Sequence, residues 1–511
     1  MDGTMRDRPR RVELAPPPPL CCSLLSASAA LLALRDDLPA KSHEAKKAMS
    51  EGRFEAAVSL YQDLVRADPD NAGFVLDLGL ALHSAGRYRE AVKPFELYLK
   101  RRGDSGPVWL LLGLDYQKLG EAEHAVEPLE RALRADPDNQ TARLELAQAL
   151  LSAGRPNEAE SQLLRLTGRH PELAEAWQAL GLTYVALARR ALGELERLAP
   201  NSAYYDVLLA RSLIERNQYY LGFHAYKDAL AKDPRLRAVY EGLAEAYRRT
   251  GHPDWARTEE DRERQLPPPD CASHQFECAF MTGNYRELLE LTRQSQTAES
   301  RYWQAWGCSE LSLQAFAHLA QMPPSPAIHD LLAEAYRIQG KYDLSVKEWQ
   351  EALQLAPGDR RQKEGLARAL WLNREYDQAR PLLEDLIKTQ PESVALNYEL
   401  GDTLLRGQDA APKAIPFLEK AAQISPDDKA VHASLGRAYM RVGEPEKAIP
   451  QFKAALGLDE EGTLYYQLAQ AYQKTGQRDL ARQTMQKFRQ ISQAAEARKP
   501  QRLEEYQITP P

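Results

Sequence analysis

Four side chains in the middle of this chain have the types that bind metal or form disulfides: Cys271, His274, Cys278 and Cys308. A structural zinc ion needs four donors at ~2.0–2.3 Å. Placed on one helix, positions 271 and 278 lie about 10 Å apart, too far for one ion to bridge. An adjacent pair with Cys308 leaves the shell incomplete, so no metal is expected. A Cys271–Cys278 disulfide within a regular helix fails on the same distance, because bridged Cα atoms lie within about 7 Å of each other. A Cys278–Cys308 bridge between neighbouring helices stays open for an exported chain. The favoured reading is buried, small apolar thiols.

Nothing else groups into a catalytic constellation. There is no GxSxG, no HExxH, no phosphate-cradling Gly-rich loop and no CxxC. His43-Glu44 lacks a second His, and the ten His are scattered. Carboxylates paired with Lys or Arg at helical spacing read as solvated faces. A net charge of −7 with mixed signs argues against nucleic-acid binding through the whole surface. The chain is therefore expected not to be an enzyme and to carry no cofactor. A catalytic site in 266–325 is the minor alternative and would need converging His, Cys and carboxylate groups.

Most of the chain is instead one recurring pattern. A small residue stands at Ala45, Gly79, Gly113, Ala147, Ala210, Ala244, Ala333, Ala367, Gly401, Gly436 and Ala469, about 34 residues apart within each run. Seven positions on comes a turn residue: Gly52, Gly86, Gly120, Gly154, Asn217, Gly251, Gly340, Arg374, Gly443 and Gly476, with a one-residue insertion near Gly407. A second small residue follows, such as Ala57, Ala91, Ala125 or Ala414, then an aromatic or Leu, and often a closing proline such as Pro69, Pro137 or Pro357. Small residues let two helices approach closely, and large apolar residues at helical spacing fill the gap beside them. Gly supplies the left-handed turn that ends the first helix. Proline stops the second helix.

Over roughly 38–495, this pattern resembles the tetratricopeptide repeat family. The resemblance implies an all-α, right-handed superhelical solenoid of about 12–14 helix-pair units, in two blocks joined by an irregular middle. The expected division is an N-terminal extension (1–37), an N-terminal superhelix (38–265), a joint (266–325), a C-terminal superhelix (326–495) and a polar tail (496–511). Two stretches lose the period in the same way. Trp177-Gln178-Ala179 and Trp303-Gln304-Ala305 both run on without a turn, at an offset of 126 residues. Both read as contracted repeats (the first at 174–201), each one long helix or two helices with a very tight joint. Pro267–Pro269 mark a break between them.

The N-terminus has Arg6, Arg8, Arg10 and Arg11, then an apolar or small run from Leu20 to Leu34. This fits a secretory signal and an exported, periplasmic or secreted protein; the run is short for a membrane span. Asp2, Glu13 and Pro16–Pro19 depart from that pattern. A capping helix, a start upstream of the true one and a cytoplasmic location are the alternatives. A lipid anchor at Cys21 or Cys22 is disfavoured, because both stand at the start of the apolar run.

In the family, the first helix of each pair lines the concave groove. Carried over by position, that groove is apolar in front, with Leu76, Leu80, Leu110, Leu114 and Leu144. Further on it is rich in arginine and aromatic residues: Tyr204, Arg211, Arg248, Arg337, Arg368, Trp371, Tyr398, Arg406, Arg437 and Arg441. Glu215, Glu241, Glu245 and Glu334 stand between. Arg with Tyr and Trp suits an extended peptide, and the leucines suit a helix or hydrophobic segment. The alternative is that neighbouring helices cover the leucines and the Arg and Glu rows neutralise one another. The family's carboxylate clamp for chaperones needs Asn and Lys at positions held here by residues such as His43, Lys46, Asp77 and Leu80, so chaperone binding is not expected. The reading is a non-catalytic scaffold or adaptor for protein or peptide partners, without nucleic acid or a stable membrane span. A subunit of an envelope assembly or enzyme complex, active only with partners, is the alternative.

Overall fold

The structure, a computed structural model, describes residues 38–406, 411–459, 461–498 and 508–511. The expected signal segment, Cys21, Cys22 and the insertion near Gly407 lie outside the described residues. The chain divides into two compact units, 1–162 and 163–511. The described residues form α-helices and no β-strand.

The first unit contains α1 (Leu38–Ser50), α2 (Phe54–Ala67), α3 (Ala72–Ser84), α4 (Tyr88–Arg102), α5 (Gly106–Lys118), α6 (Ala122–Ala135), α7 (Gln140–Ser152) and the start of α8 (Pro156–Arg169). From α1 to α7 each helix packs on the next in order. The joints follow from local chemistry. Asn71 and Asn139 cap α3 and α7, their side chains accepting from Gly73 and Phe74 N–H and from Ala142 N–H. At the other end of α3, Gly86 takes φ +73°. Its N–H and that of Arg87 bond back to the His83 and Leu82 carbonyls, closing the helix. Between paired helices the small residue sits against a large one. A Cβ built on Gly79 would lie 2.7 Å from the fully buried Phe95, so only glycine permits that spacing.

The second unit opens with the rest of α8 and then departs from simple succession. Helix α9 (Ala174–Leu198) runs for 25 residues and α16 (Ala298–Ala320) for 23. These are the two stretches without a turn, and each is a single helix. They are also each other's partners, forming the most extensive helix–helix contact among the described residues. The pairing is antiparallel. Gly181 near the start of α9 meets Phe316 near the end of α16, and Glu194 near the end of α9 forms an ion pair with Arg301 near the start of α16, N to O 2.7 Å. The Gly181–Phe316 contact repeats that of Gly79 and Phe95, but the partners stand 135 residues apart rather than 16. The two anomalies are thus the halves of one repeat, split by an insertion.

The insertion comprises α10 (Ala203–Glu215), α11 (Tyr219–Lys232), α12 (Arg237–Arg249), α13 (Pro253–Gln265), α14 (Gln275–Met281) and α15 (Tyr285–Arg293). It has its own core, in which Phe223, Tyr226, Leu243 and Tyr247 join Leu195, Tyr302 and Trp303 of the long pair. Beyond α16 the regular succession resumes: α17 (Pro326–Gln339), α18 (Tyr342–Leu355), α19 (Arg360–Leu372), α20 (Tyr376–Thr389), α21 (Val394–Arg406), α22 (Ala411–Ile424), α23 (Lys429–Val442), α24 (Pro445–Ala455), α25 (Thr463–Lys474) and α26 (Arg478–Arg498). Gln178 Nε2 of α9 donates to the Leu331 carbonyl of α17 at 2.8 Å, so the run continues directly from the composite repeat.

The cysteine expectation is overturned. Cys271 and Cys278 form a disulfide with Cα atoms 5.7 Å apart. The distance argument assumed one helix across both, but α14 begins only at Gln275, and Cys271 lies in the turn that follows the prolines. Cys271 is exposed, Cys278 half-buried, and only Cys308 of the three is buried; it takes no part in the bridge. Among the described residues no group of three or more His, Cys, Asp and Glu is arranged to hold a metal.

Candidate partner-binding groove

The first helices of the C-terminal pairs, α17, α19, α21 and α23, lie side by side and carry the arginine and aromatic row. Most of its members are engaged across helices. Arg337 Nε bonds Glu334 at 2.8 Å. Arg368 Nε bonds Glu399 Oε1 at 2.7 Å, with Glu364 3.8 Å away. Trp371 Nε1 donates to Asp402 Oδ2 at 3.2 Å, and its ring meets Tyr398 edge-on with centroids 5.6 Å apart. Ser434 Oγ donates to the other Asp402 oxygen at 3.3 Å and accepts from Arg437 Nη2 at 2.7 Å. Arg406 Nε stands 3.6 Å from Asp402, its guanidinium over the Tyr376 ring, and Arg441 donates to the Leu405 carbonyl. Trp371, Arg406 and Arg437 are thus brought around Asp402.

Burial sets the electrostatics. Glu399 and Asp402 are nearly inaccessible. Burial raises the Glu399 pKa, and the Arg368 charge opposes that rise. Arg437 is held below the usual guanidinium range, first by burial; Asp402 and Tyr398 pull it up, while Arg406 and Arg441 push it down. Among the described residues no carboxylate oxygen lies within ion-pair distance, 4.0 Å, of Arg437.

The remaining arginines and Tyr204 belong to the insertion. Tyr204 packs on Tyr302 with centroids 5.0 Å apart. Arg211 lies 4.9 Å over Trp306 and bonds Glu310 at 3.3 Å. Arg248 is exposed and bonds Glu245 and Glu260. In the first unit, Leu76 and Leu80 on α3, Leu110 and Leu114 on α5, and Leu144 on α7 are all half-buried. Leu76 and Leu80 pack against that unit's core. A hollow of about 490 Å³ lies elsewhere in that unit, lined by Glu96, Trp109, Tyr116, His124, Glu127 and Arg131 among others. It was not anticipated.

Also missed were the acceptors Glu399 and Asp402, the bridging Ser434, and the His83–Asp115 contact of 2.6 Å. They share a signal that could have been read. Cross-helix partners stand 31 or 32 residues apart, slightly less than one repeat, as in Arg368–Glu399, Trp371–Asp402, Ser434–Asp402 and His83–Asp115.

The fold and its capped, glycine-closed helix pairs define a helix-repeat protein. Sequence models of the tetratricopeptide repeat match residues 44–107, 117–182, 326–359, 364–429, 405–465 and 462–492. The chain belongs to the tetratricopeptide repeat family. It is 26% identical over 378 residues to the cellulose synthase operon protein C of Xanthomonas axonopodis pv. citri (strain 306), covering 64% of this chain and 24% of that protein. The chain thus spans about a quarter of that relative's length. Among solved structures it is similar to a tetratricopeptide repeat protein from Parabacteroides merdae (TM-score 0.29, 13% identity, 66% of this chain and 99% of that one). It is also similar to Naa15/Naa10 bound to HypK-THB (0.29, 15%, 90% and 79%) and to YrrB, described as having an unusual peptide-binding site (0.28, 19%, 42% and 94%). No helix among the described residues is long and apolar enough to cross a membrane.

Proposed function

We propose that the chain is a non-catalytic scaffold that holds an acidic protein or peptide segment along the face of α19, α21 and α23. The observation that carries this reading is the imbalance of charge around Asp402. Arg406 and Arg441 both act against the charge of Arg437, Asp402 stands beside Arg406 and Arg437, and among the described residues the half-buried Arg437 has only Ser434 bonded to its fork. A buried cation without its counter-ion is costly, and an incoming carboxylate would offset that cost through charge-assisted bonds. Family membership supports the scaffold reading, because stacked helix pairs expose extended faces that such proteins use for binding.

Arg337 and Arg368 are poor probes, since replacing Arg368 strands the buried Glu399. Arg437→Gln with Arg441→Gln removes charge without stranding a carboxylate. On an array of extended peptides rich in Asp and Glu, the double variant is expected to bind roughly tenfold more weakly or worse, each lost charge-assisted bond being worth about 1.5–3 kcal/mol. Equal binding by both chains, with unchanged helicity, would sink the proposal.

A further inference from the structure

Several helix pairs place a tyrosine three residues after the small residue of the first helix. Tyr116 and Tyr439 each donate their hydroxyl to a carboxylate 20 residues earlier, on the preceding helix: Glu96, at 3.0 Å, and Glu419. Tyr247 of α12 holds the same position, but the residue 20 places before it, on α11, is Lys227. A protonated lysine has no lone pair to offer, and its charge is set against the buried Glu259 carboxylate instead. The Tyr247 ring is fully buried, 5.4 Å from Phe223 and edge-on to Trp255 at 5.6 Å. Its hydroxyl would lack a partner, and a buried donor without one is expensive.

The partner comes from 262 residues further along the chain. Tyr247 Oη donates to the Thr509 carbonyl at 2.8 Å, and Ile508 packs against the core of the insertion. Pro510 and Pro511 follow. A segment of this kind suits such a site. Proline favours an extended backbone with no internal hydrogen bonds, leaving its carbonyls open to an outside donor at low ordering cost.

We propose that the face of α12 and α13 around Tyr247 and Trp255 is a docking site for an extended, uncharged segment of the Ile-Thr-Pro-Pro kind, and that Ile508–Pro511 is its occupant in cis. The site is separate from the arginine face. Recognition rests on the tyrosine hydroxyl that Lys227 leaves without an acceptor, together with an apolar seat for the isoleucine.

The test uses the full chain and a labelled synthetic peptide of residues 503–511, with binding read by fluorescence anisotropy. Ile508→Asp empties the site, and Ile508→Ser is the second variant should the charge disturb folding. The peptide is expected to bind the emptied chain saturably and the unaltered chain at least tenfold more weakly. Adding Lys227→Gln restores an acceptor beside Tyr247 without a second carboxylate near Glu259, and should weaken peptide binding several-fold; Tyr247→Phe should do the same. Absence of binding to both emptied chains, or binding indifferent to Lys227→Gln and Tyr247→Phe, would overturn the proposal.

Discussion

Asp115 shows how a single buried group shapes this fold. Its carboxylate is fully enclosed, with Oδ1 2.6 Å from His83 Nδ1 and Oδ2 facing no partner among the described residues. Burial raises its pKa, and the His83 contact only partly opposes that. The folded chain therefore keeps this proton to a higher pH than the unfolded chain does. The stability that comes with it is present below the ordinary carboxylate value near 4 and is lost as pH rises through the raised value. Asp115→Asn removes the titration. Denaturant unfolding from about pH 3 upward should show the Asn variant gaining on the unaltered chain as pH climbs past about 4. Parallel profiles would refute it. The arginine row shows how far such residues could be read from spacing alone. Arg368 and Trp371 on α19 and Arg437 on α23 are half-buried. The engagement of Arg368 by Glu399 and of Trp371 by Asp402 was hidden, because those acceptors lie on the neighbouring helix of the row and reveal themselves only across repeats; Ser434 reaches Asp402 in the same way while holding Arg437 on its own helix.

At the scale of the element, the helix-ending turns were legible because they are local chemistry. Ten of the expected helix-ending positions take φ between +60° and +84°. Two of these carry a side chain, Asn217 at φ +60° and Arg374 at φ +64°. A side chain there costs roughly 1–2 kcal/mol, and glycine returns part of that gain as unfolded-state entropy. Arg374→Gly is expected to stabilise the chain by roughly 0.5–1 kcal/mol on that balance, read from the denaturation midpoint. A loss of stability would show that the Arg374 side chain contributes contacts outweighing its backbone strain. The pairing of α9 with α16 was not legible, although both lack the turn and share the Trp-Gln-Ala start. Periodicity reports which face of a helix is apolar, and it is silent on which distant helix covers that face. The 271–278 bridge was misjudged for a related reason: the start of α14 at Gln275 is a boundary, and the distance argument depended on it.

At the scale of the whole molecule, the second unit departs from a chain whose every repeat contacts only its neighbours. The long pair belongs at once to the regular run and to the insertion, so damage there should spread along both helices. Phe316 is largely buried against Gly181. Phe316→Ala is expected to cost about 3–5 kcal/mol and to speed amide exchange together in 174–198 and 298–320. Faster exchange confined to 298–320 would mean that α9 holds its place without α16. The split also bears on how the protein is made. With 135 residues between Gly181 and Phe316, and synthesis running at about 5–20 residues per second, α9 leaves the ribosome roughly 7–27 seconds before its partner exists. Over that interval the part of its oily stripe around Gly181 has nothing to lie against, and nascent chains halted between these two points should be where chaperones bind most.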